Sequence, residues 1–105
     1  SLAVSVPVIE DNISNSGFAE ACASVRPSGL PVLTIDEGAP ETLDRIADEI
    51  GAAQTQDGAQ CAILGCAGMA PLMSHLKPRT RIPLIDGVTA SVHLAIAAAA
   101  FTAGQ

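Results

Sequence analysis

The clearest indication of the fold is the segment Cys61-Ala62-Ile63-Leu64-Gly65-Cys66-Ala67-Gly68. Its first four residues are apolar without alternation, which is typical of a strand that is buried on both faces. The glycines then turn the chain, and apolar residues recur beyond them at helical spacing, at Met69, Leu72, Met73 and Leu76. A buried strand that leads directly into a helix predicts a βα unit of a parallel sheet.

The segments that follow and precede this unit continue the alternation. A helix is predicted from Pro40 to Asp57-Gly58, because apolar residues share one face and charged residues the other. Pro83-Leu84-Ile85 predicts a second brief buried strand. A final helix is predicted from Val88 to Phe101, closed by Gly104.

The N-terminal third is less regular. Pro7 can open a short helix that stops at Gly17. Cys22 to Val25 predicts a strand that leads into a turn. Leu30 to Ile35 is β-prone but contains Pro31, so an edge strand or an ordered loop is expected there. The whole pattern predicts one α/β domain over residues 1–105, with a parallel sheet and helices on both of its faces.

Composition excludes several classes of function. The net charge is −6 with five Lys and Arg residues, too few for a nucleic-acid-binding face. Lys77, Arg79 and Arg81 are therefore expected to solvate a loop. No apolar run is long enough to span a bilayer, and the N-terminus lacks the pattern of a signal peptide. Three cysteines without regular spacing argue against a disulfide framework, so a soluble protein of the reducing cytoplasm is expected.

Cys66 is the first candidate for chemistry. Ligands of open parallel sheets bind beyond the carboxyl ends of the strands, and Cys66 lies at such an end between Gly65 and Gly68. Glycines let backbone amides approach a ligand, and a helix that begins near Met69 would favour a thiolate. The alternative is a small structural residue in a tight turn, and these residues alone leave both interpretations open.

Asp86 and Gly87 follow the second predicted strand end. Asp86 suits the N-cap of the final helix, and a contact with a ligand at the same helix end is compatible with capping. No metal is expected, because the spacing of Cys61, Cys66, His75 and His93 matches no zinc pattern. The turn from Gly65 to Gly68 is too short for a phosphate-binding loop and has no lysine.

Several stretches, taken in order, resemble the hydantoin racemases of the aspartate/glutamate/hydantoin racemase superfamily. The segment Gly65-Cys66-Ala67-Gly68-Met69 followed by Asp86-Gly87-Val88 is the most specific part of the resemblance. Alanine at position 67, where aspartate and glutamate racemases usually carry threonine, favours the hydantoin or allantoin branch. The matching stretches are Ser5–Asn12, Cys22–Arg26, Gly29–Leu33, Asp57–Ala59, Leu64–Ala70 and Ile82–Val88.

The resemblance implies a fold of two similar α/β lobes with one catalytic cysteine from each lobe. Cys66 would be the second cysteine, with the backbone of Gly65, Ala67 and Gly68 holding the substrate's carbonyl or carboxylate. It further implies racemisation of hydantoins or related amino-acid derivatives by two-thiol proton transfer, without a metal or organic cofactor. The chain would then be the C-terminal lobe, with the first lobe absent.

The final helix agrees with that expectation, because it is apolar almost all round and three short strands cannot cover it. A homo-oligomer that binds a small-molecule substrate, with no nucleic-acid or membrane partner, is expected. Two other functions stay open: a decarboxylase of the same superfamily that needs one cysteine, and a non-catalytic binding or assembly module.

Overall fold

A parallel pair of short strands lies at the centre of the computed structural model, which describes residues 3–30 and 39–104. Strand β1 is Ala62–Leu64 and strand β2 is Leu84–Asp86. The register pairs Ala62 with Leu84 and Leu64 with Asp86, so the carboxyl ends of both strands lie side by side. Parallel strands joined through a helical crossover confirm the predicted α/β class.

Two helices precede the strands, and both begin as the sequence predicts. Helix α1 is Val6–Asn15 and helix α2 is Pro40–Asp57, each with a proline in its first positions. Proline is tolerated there because the first amides of a helix have no intrahelical acceptor. Gly58 is the C-cap of helix α2, and its φ of 71° is the left-handed conformation that glycine adopts without strain.

The crossover from β1 to β2 differs from the single helix predicted near Met69. It begins as a 3-10 helix at Ala67–Leu72, continues as the short helix α3 at Met73–Leu76 and ends as a 3-10 turn at Lys77–Arg79. Pro71 lies inside the first segment and has no amide hydrogen to donate to an α-helical ladder. The final helix, α4, is Gly87–Ala103, with Gly104 at its C-cap as predicted.

The strand predicted at Cys22–Val25 is wrong, since residues 22–30 have no regular secondary structure. Side chains hold this segment against α2 instead of a ladder of backbone hydrogen bonds. Arg26 contacts Glu49 at 3.2 Å and also pairs with Asp57, while Arg45 Nε donates to the carbonyl of Ser28 at 2.8 Å. The edge strand or loop predicted at Leu30–Ile35 lies, beyond its first residue, outside the described residues.

The core is small and lies on one side of the strand pair. Leu76 is fully buried at 0% exposure and is the centre of the cluster. Residues from α2, β1 and the crossover complete it: Ile46, Ile50, Leu64, Met69 and Leu72. The core therefore fixes the crossover, and with it the turn that carries Cys66, against α2.

Apolar surface remains uncovered elsewhere. Ile63 is 68% exposed, so the prediction that β1 is buried on both faces is wrong for this residue. The apolar side chains of α4 are open as well, with Leu94 70% and Phe101 72% exposed, which agrees with the expectation that this chain alone cannot cover the helix. Among the described helices, none has both the length and the apolar composition that crossing a membrane requires.

Candidate functional site

The two segments that carry the predicted site residues meet at one edge of the sheet. Leu64 and Asp86 are paired in the register, so Gly65 and Cys66 leave β1 next to the point where Gly87 leaves β2. A Cβ atom placed on Gly87 would lie 3.9 Å from the carbonyl oxygen of Leu64. The parallel pairing thus brings together residues more than twenty positions apart in sequence.

Cys66 lies at the junction between β1 and the crossover. Its backbone is extended, with φ −117° and ψ 128°, and it is the N-cap residue of the 3-10 helix. The side chain is half-buried against the hydrophobic core. Met69 donates its amide to the carbonyl of Cys66 at 2.9 Å, which leaves the amides of Ala67 and Gly68 as the first of the helix, without acceptors inside it.

Asp86 caps helix α4, as the sequence predicts. Its carboxylate accepts the amide of Val88 at 3.1 Å and the hydroxyl of Thr89 at 2.5 Å. The hydrogen bond from the Thr89 side chain lowers the pKa of Asp86, partial burial opposes this, and the backbone amides of Val88 and Thr89 lower it further. The carboxylate is therefore ionised at neutral pH and is held in one orientation.

A groove with a volume of about 390 Å³ begins at Asp86 and runs between the crossover and α4. We call it the β2 groove, because all three residues of β2 line it. Its apolar walls include Met73 and Leu84, and its polar lining consists of Lys77, Asp86, Thr89 and His93. Cys66 is not among the residues that line it, so the thiol and the groove are distinct parts of this region.

Sequence reasoning missed most of this polar lining. The sequence predicts that Lys77 solvates a loop, and it assigns His93 no part in a groove with Asp86. The available signal was the spacing of Asp86, Thr89 and His93, since residues three, four and seven apart share one helix face. The spacing is informative only together with the path of the crossover, which brings Lys77 to the same groove.

The other cysteines lie away from this edge. Cys61 precedes β1 at the opposite end of the strand and is exposed, contrary to the prediction of a core residue. Cys22 is half-buried and lines a separate hollow of about 150 Å³ beside Glu10 of α1. Among residues 3–30 and 39–104, no three His, Cys, Asp or Glu side chains are grouped as a metal site would need.

Fold and site together define an α/β protein with a cysteine and a capped helix at the carboxyl edge of a parallel sheet. Residues 1–95 match the family model described as Asp/Glu/Hydantoin racemase. The chain therefore belongs to the Asp/Glu/hydantoin racemase family, which confirms the resemblance found in its sequence.

Individual relatives agree with this assignment. The chain is 46% identical over 92 residues to a hydantoin racemase from Rhizobium meliloti, covering 87% of this chain and 38% of that protein. It is 30% identical over 88 residues to a hydantoin racemase from Pseudomonas sp. (strain NS671), covering 84% of this chain and 35% of that protein.

Solved structures show the same fold. The crystal structure of an allantoin racemase from Pseudomonas fluorescens superimposes with a TM-score of 0.92 at 37% identity, covering 97% of this chain and 43% of that one. An allantoin racemase from Klebsiella pneumoniae gives a TM-score of 0.87 at 29% identity. The chain thus spans well under half the length of the relatives it matches.

Proposed function

We propose that this chain carries one half of the active site of a cofactor-independent racemase, with Cys66 as a proton-transferring thiol. The substrates are hydantoins or related amino-acid derivatives, which lose and regain a proton at the carbon next to a carbonyl. The observation that carries the proposal is the placement of Cys66 at the carboxyl edge of the sheet, beside Asp86 and Gly87.

The chemistry needs two groups on opposite faces of the substrate. A thiolate removes the proton from the carbon, and the electrons of the broken C–H bond move toward the carbonyl oxygen as an enolate. A thiol on the other face then returns a proton to the same carbon, and the roles exchange for the other enantiomer. These steps balance without a metal or an organic cofactor.

The backbone around Cys66 suits the second requirement, which is to stabilise the enolate. Amides without intrahelical acceptors, at Ala67 and Gly68, can donate to the developing oxyanion. Gly65 is exposed and has no atom within 4 Å of the position of a Cβ, so a ligand can approach its backbone. Asp86 and Gly87 would form the neighbouring wall of the substrate site.

The opposing thiol would come from outside these 105 residues. Cys22 and Cys61 lie away from the edge that holds Cys66, and the relatives are more than twice as long as the matched region. We infer that this chain is the C-terminal of two lobes. The exposed apolar side chains of α4 would pack against the other lobe or a second copy, in a homo-oligomer of the cytoplasm that binds no nucleic acid or membrane.

Cysteine-to-serine substitutions test the proposal in a protein completed with the family's first lobe. Cys66→Ser should lower racemisation of a 5-substituted hydantoin at least about 100-fold, the usual size of a general acid–base contribution. Cys61→Ser is the matched control, because Cys61 is exposed at the other end of the same strand. Polarimetry measures the inversion, and the isolated 105-residue chain should show none above background. Racemisation by the Cys66→Ser protein, or by the chain alone, would contradict the two-thiol mechanism.

A one-cysteine reaction is the second function that the site favours. Within the described residues Cys66 is the one cysteine at the carboxyl edge, and a decarboxylase of the same superfamily needs one thiol to protonate an enolate from one face. Release of carbon dioxide from a disubstituted malonate by the chain, lost in Cys66→Ser, would support this function. Inertness of the completed protein toward hydantoins and malonates would leave a non-catalytic module.

A further inference from the structure

The β2 groove has features of a ligand site that the proton transfer at Cys66 does not use. It is open to solvent, and its volume of about 390 Å³ lies near the lower end of the range of small-molecule sites. It combines apolar walls with four polar side chains, two of which are basic, Lys77 and His93. This mixture of apolar area with a few polar groups is typical of pockets that hold small molecules.

The ammonium group of Lys77 has no ion-pair partner within the described part of the chain. Arg26 pairs with Glu49 and Asp57, and Arg79 pairs with Asp44. No carboxylate of residues 3–30 or 39–104 lies within ion-pair distance of Lys77 or His93, although the chain carries eleven Asp and Glu residues. The acid that shares the groove, Asp86, instead accepts from the amide of Val88 and the hydroxyl of Thr89.

The charged and apolar side chains of the β2 groove together favour one kind of ligand. The ammonium group of Lys77 favours a carboxylate, and an imidazole N–H of His93 can donate to the same anion. The fixed, ionised carboxylate of Asp86 retains lone pairs for an N–H donor. Methylene and methyl groups between those two functions would contact the apolar walls, which include Met73 and Leu84. We propose that the β2 groove binds a small carboxylate that also carries an N–H group, with its anionic end at Lys77 and His93 and its N–H end at Asp86.

Two probes of nearly equal shape test the proposal: N-acetylglycine, which is an anion at neutral pH, and its neutral amide, N-acetylglycinamide. Amide NMR spectra of the folded protein would be recorded during titration with each probe. The acid should shift the resonances of residues 84–93 and bind about tenfold more tightly than the amide, the ratio expected for about 1.4 kcal/mol from the carboxylate. Added salt should weaken the binding of the acid and leave the binding of the amide unchanged.

Lys77→Met should reduce the preference for the acid to about threefold or less, since the charge of the ammonium group is lost and only a hydrogen-bond donor remains at His93. Arg81→Met is the matched control: it removes the same charge from an exposed residue four positions away that does not line the groove, and the preference should persist. Both variants change exposed side chains, and the dispersion of the spectra verifies that each is folded. Equal binding of acid and amide, an equal effect of the two substitutions, or shifts confined to residues outside the groove would overturn the proposal. Because the readout is binding, failure of the racemase proposal would leave this result unchanged.

Discussion

Replacing Leu76 by alanine tests which surfaces of this chain are core and which are open. Leu76 is fully buried, whereas Leu94 on α4 is 70% exposed. Loss of three buried carbons from Leu76 costs about 2.4 kcal/mol, at roughly 0.8 kcal/mol per methylene group. The cavity that remains raises the expected loss to about 3–4 kcal/mol. Leu94→Ala removes the same atoms from an exposed position and should change the free energy of unfolding by no more than about 0.5 kcal/mol.

Urea denaturation followed by far-UV circular dichroism measures both variants against the parent chain. The slope of the unfolding free energy against urea concentration should be the same in all three proteins. The urea concentration at the unfolding midpoint should be lower for Leu76→Ala than for the parent chain. In a thermal scan, Leu76→Ala should melt at least about 10 °C lower, as expected for a domain near 100 residues.

Protein concentration distinguishes a monomer from an assembly through α4. If copies associate through this helix, Leu94→Ala loses stability in a manner that depends on protein concentration, whereas the loss at Leu76 does not. Equal losses in the two variants at every concentration would refute the assignment of Leu76 to the core and of α4 to the open surface.

Three further substitutions test how residues 22–30 are held against α2 without strand pairing. The hydrogen bond from Arg26 is the largest cause of the lowered pKa of Asp57, so the folded carboxyl has a lower pKa than the unfolded one. The contribution of the ionised Asp57 to the free energy of unfolding is therefore fully present above about pH 4 and is lost as the pH falls through the folded pKa. Asp57→Asn should lower stability at neutral pH. It should also make the urea midpoint depend less on pH in the acid range. Gly29 has φ 74°, and a Cβ there would lie 2.9 Å from the guanidinium of Arg45, whereas Gly58 has φ 71° in open space. Both alanine variants should lose about 1 kcal/mol through the left-handed backbone, and Gly29→Ala should lose more in the same urea assay; an equal loss would mean that Arg45 moves aside freely.

The parts of the site that depend on neighbours in sequence were predictable. Asp86 followed by Gly87 indicated a helix N-cap, and the amide of Val88 indeed donates to the Asp86 carboxylate. Cys66 between glycines after an apolar run indicated a strand-to-helix junction, which the structure confirms. Capping and turning are local effects, because the partners lie within a few residues of each other.

The parts that depend on distant partners were not predictable. The apolar segment from Cys22 to Val25 has the composition of a strand, yet Arg26 and its contacts with α2 replace strand pairing there. Apolar character predicted that Cys61 and Ile63 are buried, but both are exposed. Composition reports how favourable burial would be, whereas only tertiary contacts decide which surface is covered.

By itself the sequence determined the α/β alternation, the bounds of α2 and α4 to within two residues, the two strand ends with their cysteine and aspartate, and the family. Each of these follows from hydrophobic periodicity, capping chemistry or a short motif, all of which act over a few residues. Three relations required the three-dimensional structure: the strand ends are parallel neighbours, Lys77 lines one groove with Asp86 and His93, and Cys66 lies outside that groove. Those relations depend on strand register and on the path of the crossover, which the packing of Leu76 and its neighbours sets in three dimensions.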